Sequence, residues 1–213
     1  MTKKAQTMNG WKLHVLLAAA VAVSFLARFC EPLPGDVSLI RWVQTWKHAD
    51  ITAFMKAVSV IGKSWIVIGL AGAAVAGLFV LRRRQECLAA AGVLFILILS
   101  PILQLFVDRS RPPADLVGLN VRFGGLSFPS GHAYQSFVFF GFLIYLCNVL
   151  IGRVWLRRSV QAFLASLILA IGVSRVYLGA HWPSDVLGSY LIGGSFLALL
   201  FRAYQTRVPS ITS

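Results

Sequence analysis

The 213-residue chain is short of negative charge: seven Asp and Glu stand against twenty Lys and Arg, for a net charge of +13. The acids are scattered, so no carboxylate cluster of the kind that holds magnesium is formed. Cysteine is scarce too. Cys30, Cys87 and Cys147 are widely spaced and odd in number, which excludes a Cys metal pattern and gives no disulfide framework. No internal repeat and no low-complexity tract occurs, and one domain, 1–213, is the simplest organisation. Two-residue alternation of apolar and polar side chains is also missing, which excludes the strands of a membrane barrel.

Apolar residue is what the chain has in abundance. It is 58% hydrophobic, with a mean hydropathy of +0.77, well above soluble domains. Six apolar runs are visible, at about 11–29, 65–81, 87–107, 133–151, 160–178 and 186–201. Most reach the roughly 20 residues a helix needs to cross a bilayer. The predicted fold is all-α: a polytopic membrane protein with six transmembrane helices. The first run reads as a retained helix and not as a signal peptide. It is long for an h-region, and Arg28-Phe29 makes a poor cleavage site.

Basic residues could signal nucleic acid, but here they lie mostly between apolar runs, which suits membrane topology and anionic headgroups. Lys3, Lys4 and Lys12, then Arg82 to Arg84, then Arg153, Arg157 and Arg158, then Arg202 and Arg207 all fall on one side of a six-helix protein. The positive-inside rule makes that side cytoplasmic, with both termini. The other side would be periplasmic or extracellular in a bacterial cell membrane. It carries Glu31 to Ser64, where a Pro/Gly turn precedes apolar residues at helical spacing (Leu39, Ile40, Val43, Trp46; Ile51, Phe54, Met55, Val58). These predict one or two short amphipathic helices at the interface, either packing on the bundle or gating a site.

Three polar clusters meet the membrane on that second side: D-R-S-R-P-P (108–113), F-P-S-G-H (128–132) and S-R-V-Y-L-G-A-H-W-P-S-D (174–185). Each alone has an ordinary reading, as a headgroup contact, an N-cap or a capped helix end. Together they make Arg111, Ser130, Gly131, His132, Arg175, His181 and Asp185 one constellation. Two guanidiniums match phosphate oxygens, and the N-terminus at Ser130, Gly131 and His132 offers free N–H groups and a favourable dipole. Gly131 lets a ligand approach the backbone, and Ser130 adds a hydroxyl. Such a cradle needs no metal or other cofactor. A neutral imidazole can attack phosphorus and a protonated one can serve the leaving group. With Pro183 opening a helix, Asp185 falls within reach of His181 and would orient it, leaving His132 as general acid and then base.

This pattern resembles the type 2 phosphatidic acid phosphatase superfamily, whose signature runs K-x6-R-P, P-S-G-H, S-R-x5-H-x3-D. The second and third parts match at Pro129 to His132 and at Ser174-Arg175, His181 and Asp185; the first ends at Arg111-Pro112. The resemblance implies a membrane phosphatase acting on a lipid phosphate or diphosphate through a phosphohistidine. Polyprenyl diphosphate, phosphatidate and phosphatidylglycerophosphate are the implied lipids, and membrane lipids the surroundings. No nucleic-acid partner is implied, and nothing fixes an oligomeric state. The family's Lys falls on Gln104, which carries no charge. Gln104, Asp108 and Arg111 are spaced to share a helical face, and Arg109, Lys56 or Lys63 could supply the lost cation. Gln104 as a mere membrane-border residue is the competing reading. A lipid-phosphate carrier without turnover and a vanadate-dependent haloperoxidase are the alternative functions.

Overall fold

The computed structural model describes residues 9–117 and 124–207; Lys3 and Lys4, used above for orientation, lie outside them. The described residues form ten helices: α1 Gly10–Phe29, α2 Asp36–Gln44, α3 Ala49–Ile61, α4 Ser64–Val80, α5 Arg84–Ile98, α6 Ser100–Val107, α7 Ala114–Val117, α8 Gly131–Leu150, α9 Val154–Tyr177 and α10 Pro183–Arg207. Five stretches are long and apolar enough to span a membrane: α1, the α5–α6 run, α8, α9 and α10. A sixth exists if α3 and α4, bent by 46° at their junction, count together. The chain is an all-α polytopic membrane protein, as its apolar runs predict.

The third apolar run is two helices because Pro101, in the first turn of α6, has no N–H with which to continue α5. α6 then stops at Val107, where Asp108 takes the left-handed conformation (φ 49°). This corrects the expected shared face of Gln104, Asp108 and Arg111. Arg111 lies beyond the helix, and Asp108 turns aside to Arg28 at 3.5 Å.

The core lies where α4, α5, α8, α9 and α10 meet, around Val67, Val93, Leu97, Phe142 and Ile171. The outward faces carry large apolar side chains such as Phe79, Leu105 and Phe106, exposed to whatever surrounds the bundle. Such exposure would cost a water-soluble protein dearly; in lipid it is the ordinary surface. α2 and α3 are the two short amphipathic helices expected between the first and second runs. They pack where α9 ends and α10 begins. Gln44 donates to the Tyr177 carbonyl (2.9 Å), and the Thr52 and Tyr177 hydroxyls are 2.7 Å apart. Ile40, Val43 and Met55 join Tyr177 and Trp182 in a second apolar cluster.

Candidate active site

Three chain breaks bring the polar motifs to one end of the bundle. α9 finishes at a left-handed glycine, Gly179 (φ 70°), whose missing side chain leaves room for Val117. The chain then reverses through Ala180 and His181 into Pro183, which opens α10 as predicted. Asp185, in the first turn, reaches back to the backbone N–H of Trp182 at 2.8 Å. This is half of a capping box. The ordinary reading of this motif, a capped helix start, therefore holds for Asp185.

The His181 ring is held from both sides. Nδ1 lies 2.8 Å from the Ser127 carbonyl, and Nε2 lies 3.2 Å from an Arg111 Nη. A carbonyl can only accept, so Nδ1 carries the proton in the neutral ring and Nε2 keeps its lone pair. Asp185 was expected to orient the ring through one of its nitrogens. Its carboxylate stands 3.6 Å from Nδ1, bonded by the Trp182 N–H and the Ser127 hydroxyl. Nδ1–H thus faces two acceptors, the Ser127 carbonyl as the closer one and the Asp185 carboxylate as a longer contact that also places a negative charge beside the ring. Burial pushes His181 below its ordinary pKa; Asp185 pulls it back up, and Arg111 and Arg175 push it down.

Arg111 is fastened between its own loop and the α9–α10 connection, donating to the carbonyls of Gly125 (3.1 Å) and Ala180 (2.6 Å). Arg175 is buried at the end of α9 and donates to the Ser59 hydroxyl of α3. Arg111, Arg175, His181 and Lys63 all lie within electrostatic range of His132. α3 and α4 approach closely here: a Cβ placed on Gly62 would come 3.3 Å from the His132 ring and 2.8 Å from Ile171. The seven residues of the predicted constellation thus converge, from the loop after α6, the start of α8, the end of α9 and the turn into α10.

Two members serve differently from expectation. Ser130 is fully buried and caps α8, its hydroxyl accepting from Ala133 N–H at 3.5 Å. The donors available to an anion there are the first-turn N–H groups of Gly131 and His132, which have no intrahelical acceptor. The Cβ direction of Gly131 points at Ser100 and Gln104 of α6, not at open space. Gln104 donates its amide to the Pro129 carbonyl at 3.0 Å, so it buttresses the P-S-G-H loop and is no mere border residue.

Arg109 is the clear correction. Read as an accessory phosphate cation, it is instead wholly buried and paired with Asp36 (2.8 Å) and Asp185 (2.6 Å). Two carboxylates in a dry site leave its charge none to offer a ligand. Of the remaining candidate cations, Lys56 is exposed on α3 and Lys63 reaches the site electrostatically. Asp36, Ser127, Trp182 and Ser59 are the residues the motifs did not flag. Trp182 lies inside the third motif and Ser127 just before the second, so proximity could have drawn attention to both; Asp36 and Ser59 lie far from any motif.

Comparison with known proteins gives the same answer over much of the chain. The PAP2 superfamily model matches residues 85–209. Phosphatidylglycerophosphatase B of Bacillus subtilis is 27% identical over 201 residues, 91% of this chain and 92% of its own. Decaprenylphosphoryl-5-phosphoribose phosphatase of Mycobacterium tuberculosis is 29% identical over 64% of this chain and 69% of its own. The crystal structure of a transmembrane PAP2-type phosphatidylglycerolphosphate phosphatase from Bacillus subtilis superposes with a TM-score of 0.80 at 21% identity, covering 95% of this chain and 100% of that one. At that identity the likeness is one of fold.

Proposed function

The chain belongs to the PAP2 superfamily and is an integral membrane lipid phosphatase; from that premise we propose that the phosphoryl group passes to His181 and then to water. The observation that carries this reading is the His181 ring, with Nδ1–H spent on a carbonyl and the Nε2 lone pair presented beside Arg111. A phosphate held by Arg111, Arg175 and the first N–H groups of α8 places phosphorus against Nε2. The Nε2–P bond forms as the bond from phosphorus to the lipid oxygen breaks, and His132 gives its proton to that departing oxygen. His132, now neutral, takes a proton from water, whose oxygen attacks phosphorus and frees His181 and inorganic phosphate. The two guanidiniums meet the equatorial oxygens, where charge lies in a loose transition state.

The preferred substrate is a lipid phosphate monoester. Gln104 supplies no charge and Arg109 is spent elsewhere, so the site has fewer cations than a diphosphate would use. Phosphatidylglycerophosphate is the first lipid to test, because the Bacillus subtilis relative matched along nearly its whole length is named for it. The site end faces the periplasm or cell exterior and the termini the cytoplasm. Arg82 to Arg84, Arg153, Arg157, Arg158 and Arg202 crowd the opposite end, where the positive-inside rule wants them.

Phosphate release by purified protein from a panel of phosphatidylglycerophosphate, phosphatidate and polyprenyl diphosphate tests the reading. An alkaline quench, which spares phosphohistidine, should trap label on the wild type and none on His181→Ala. Release of phosphate with equal label on both would move the nucleophile elsewhere, and no release from any lipid would leave a carrier. For orientation, Cys30, exposed at the site end, should react with an impermeant thiol reagent in intact cells. Protection in intact cells and reaction only after permeabilisation would invert the topology.

A further inference from the structure

Behind the imidazole lies a buried ion cluster that none of the signature residues except Asp185 belongs to. Arg109 sits between two carboxylates, and the side-chain exposures of Arg109, Asp36 and Asp185 are 0%, 3% and 0%. Charges so dry persist only when every lone pair and proton is engaged. Here nearly all are. Asp36 accepts from Arg109 (2.8 Å), the Ser184 hydroxyl (2.6 Å), the Ser184 N–H (2.9 Å) and the Leu33 N–H (3.0 Å). Asp185 accepts from Arg109 (2.6 Å), the Trp182 N–H (2.8 Å) and the Ser127 hydroxyl. The Arg109 guanidinium also lies 5.6 Å over the Trp182 ring.

Ser127 links this cluster to the imidazole. Its N–H donates to the Arg109 carbonyl at 2.8 Å, its hydroxyl to Asp185, and its own carbonyl accepts from His181. The residue is strapped at both backbone N–H and side chain, so its carbonyl has one direction to face. We propose that Asp36 and Arg109 are positioning residues for the reaction, fixing Asp185 and the Ser127 carbonyl against His181 and leaving one uncancelled negative charge behind the ring. The inference rests on His181 being the nucleophile. One cation between two carboxylates makes the cluster −1, and Asp36 is what keeps it from being neutral. When Nε2 bonds to phosphorus the ring becomes cationic, with Nδ1–H still on Ser127. A fixed negative charge behind it favours that state without any rearrangement. The other charged or titratable groups facing the ring are Arg111 from the loop, Arg175 from α9 and His132 from α8.

Asp36→Asn and Arg109→Lys separate the two parts of the proposal, with kcat counted per site that traps label. Asp36→Asn removes the net charge. It should lower kcat about tenfold with little change in KM, and shift the acid limb of kcat/KM down by about half a unit. Arg109→Lys keeps the charge and loses the fork. It should lower kcat while leaving the limb in place. A residue that merely holds the fold would reduce the number of trapping sites and move neither kcat per site nor the limb; that result overturns the proposal. If either variant fails to fold, Ser184→Ala, which removes only the hydroxyl bridging Arg109 and Asp36, should lower kcat several-fold, and an unchanged kcat there is equally fatal. Absence of label on the wild type would instead defeat the nucleophile assignment itself.

Discussion

Arg109 and Arg111 are separated by one serine and serve the two nitrogen sides of one imidazole. Arg111 is partly open, holds two backbone carbonyls and sits beside Nε2. Arg109 is sealed, holds two carboxylates and reaches the Nδ1 side only through Asp185 and Ser127. The difference lies in what surrounds each guanidinium, since the side chains are identical. A guanidinium saturated by carboxylates builds the protein. One that is partly open and stands beside Nε2 is placed where the proposed phosphate would lie.

The imidazole between them is the harshest place to break the contrast. His181→Ala should abolish turnover and phosphoenzyme together, a loss of at least about a thousandfold. His132→Ala should cost about 100-fold or more with a lipid alkoxide as leaving group and much less with an activated aryl phosphate. If the aryl phosphate rescues both variants equally, the two histidines have been assigned the wrong way round.

The arginines themselves should fail in different currencies. Arg109→Ala leaves Asp36 and Asp185 buried without a counter-charge, a destabilisation of about 3–5 kcal/mol, visible as a large drop in thermal midpoint in detergent. Arg111→Ala should cost less stability than that, about 1–3 kcal/mol for its bonds to two carbonyls, and lower kcat/KM about 100-fold. Equal loss of stability in both would erase the distinction between a sealed and an open guanidinium.

A pH profile reads the same contrast more gently. In the proposed mechanism neutral His181 is the attacking form, and burial holds its pKa below the ordinary 6.5. The acid limb of kcat/KM should therefore lie below pH 6.5. Arg111 pushes that pKa down, so Arg111→Gln should move the limb to higher pH, whereas neutralising Asp36 should move it lower. A limb above pH 7, or shifts of the same sign, would show that the ring does not feel the two sides as described.

The smallest effect belongs to Gln104. Its amide already faces the P-S-G-H loop, so Gln104→Lys would bring an ammonium close to a bound phosphate. A charge-assisted contact of about 1.5–3 kcal/mol, offset by desolvation and by repulsion from Arg111, predicts a several-fold lower KM. The gain should be larger for a diphosphate than for a monoester, with kcat nearly unchanged. Unchanged constants on both would mean that Lys63 already fills that need.

How far the site could be read from the chain follows from what kind of group each part uses. Arg111, His132, Arg175, His181 and Asp185 are side chains at fixed spacing, and helix geometry carries spacing into space. The apolar runs mark the spans for the same reason. The closer acceptor of His181 is a backbone carbonyl, which every residue possesses and no letter announces. Asp36 lies 73 positions from Arg109. At the head of an amphipathic helix it reads as an ordinary first-turn acid. Arg109 beside Arg111 looks like a second copy of the same function until burial separates them. The break at Pro101 was visible as a residue but not as a consequence, because a proline in an apolar run can equally sit in a kinked single helix.

Asp185 closes the first turn of α10 and carries the charge behind His181. The residue that tells a 25-residue helix where to begin is thus also, in the proposed mechanism, a working part of the chemistry. Such a span meets a thicker or thinner bilayer by tilting, and this one cannot tilt at its head without carrying the carboxylate along. The slant of α10 and the position of the Asp185 carboxylate beside His181 are therefore tied to one another through a single turn of helix.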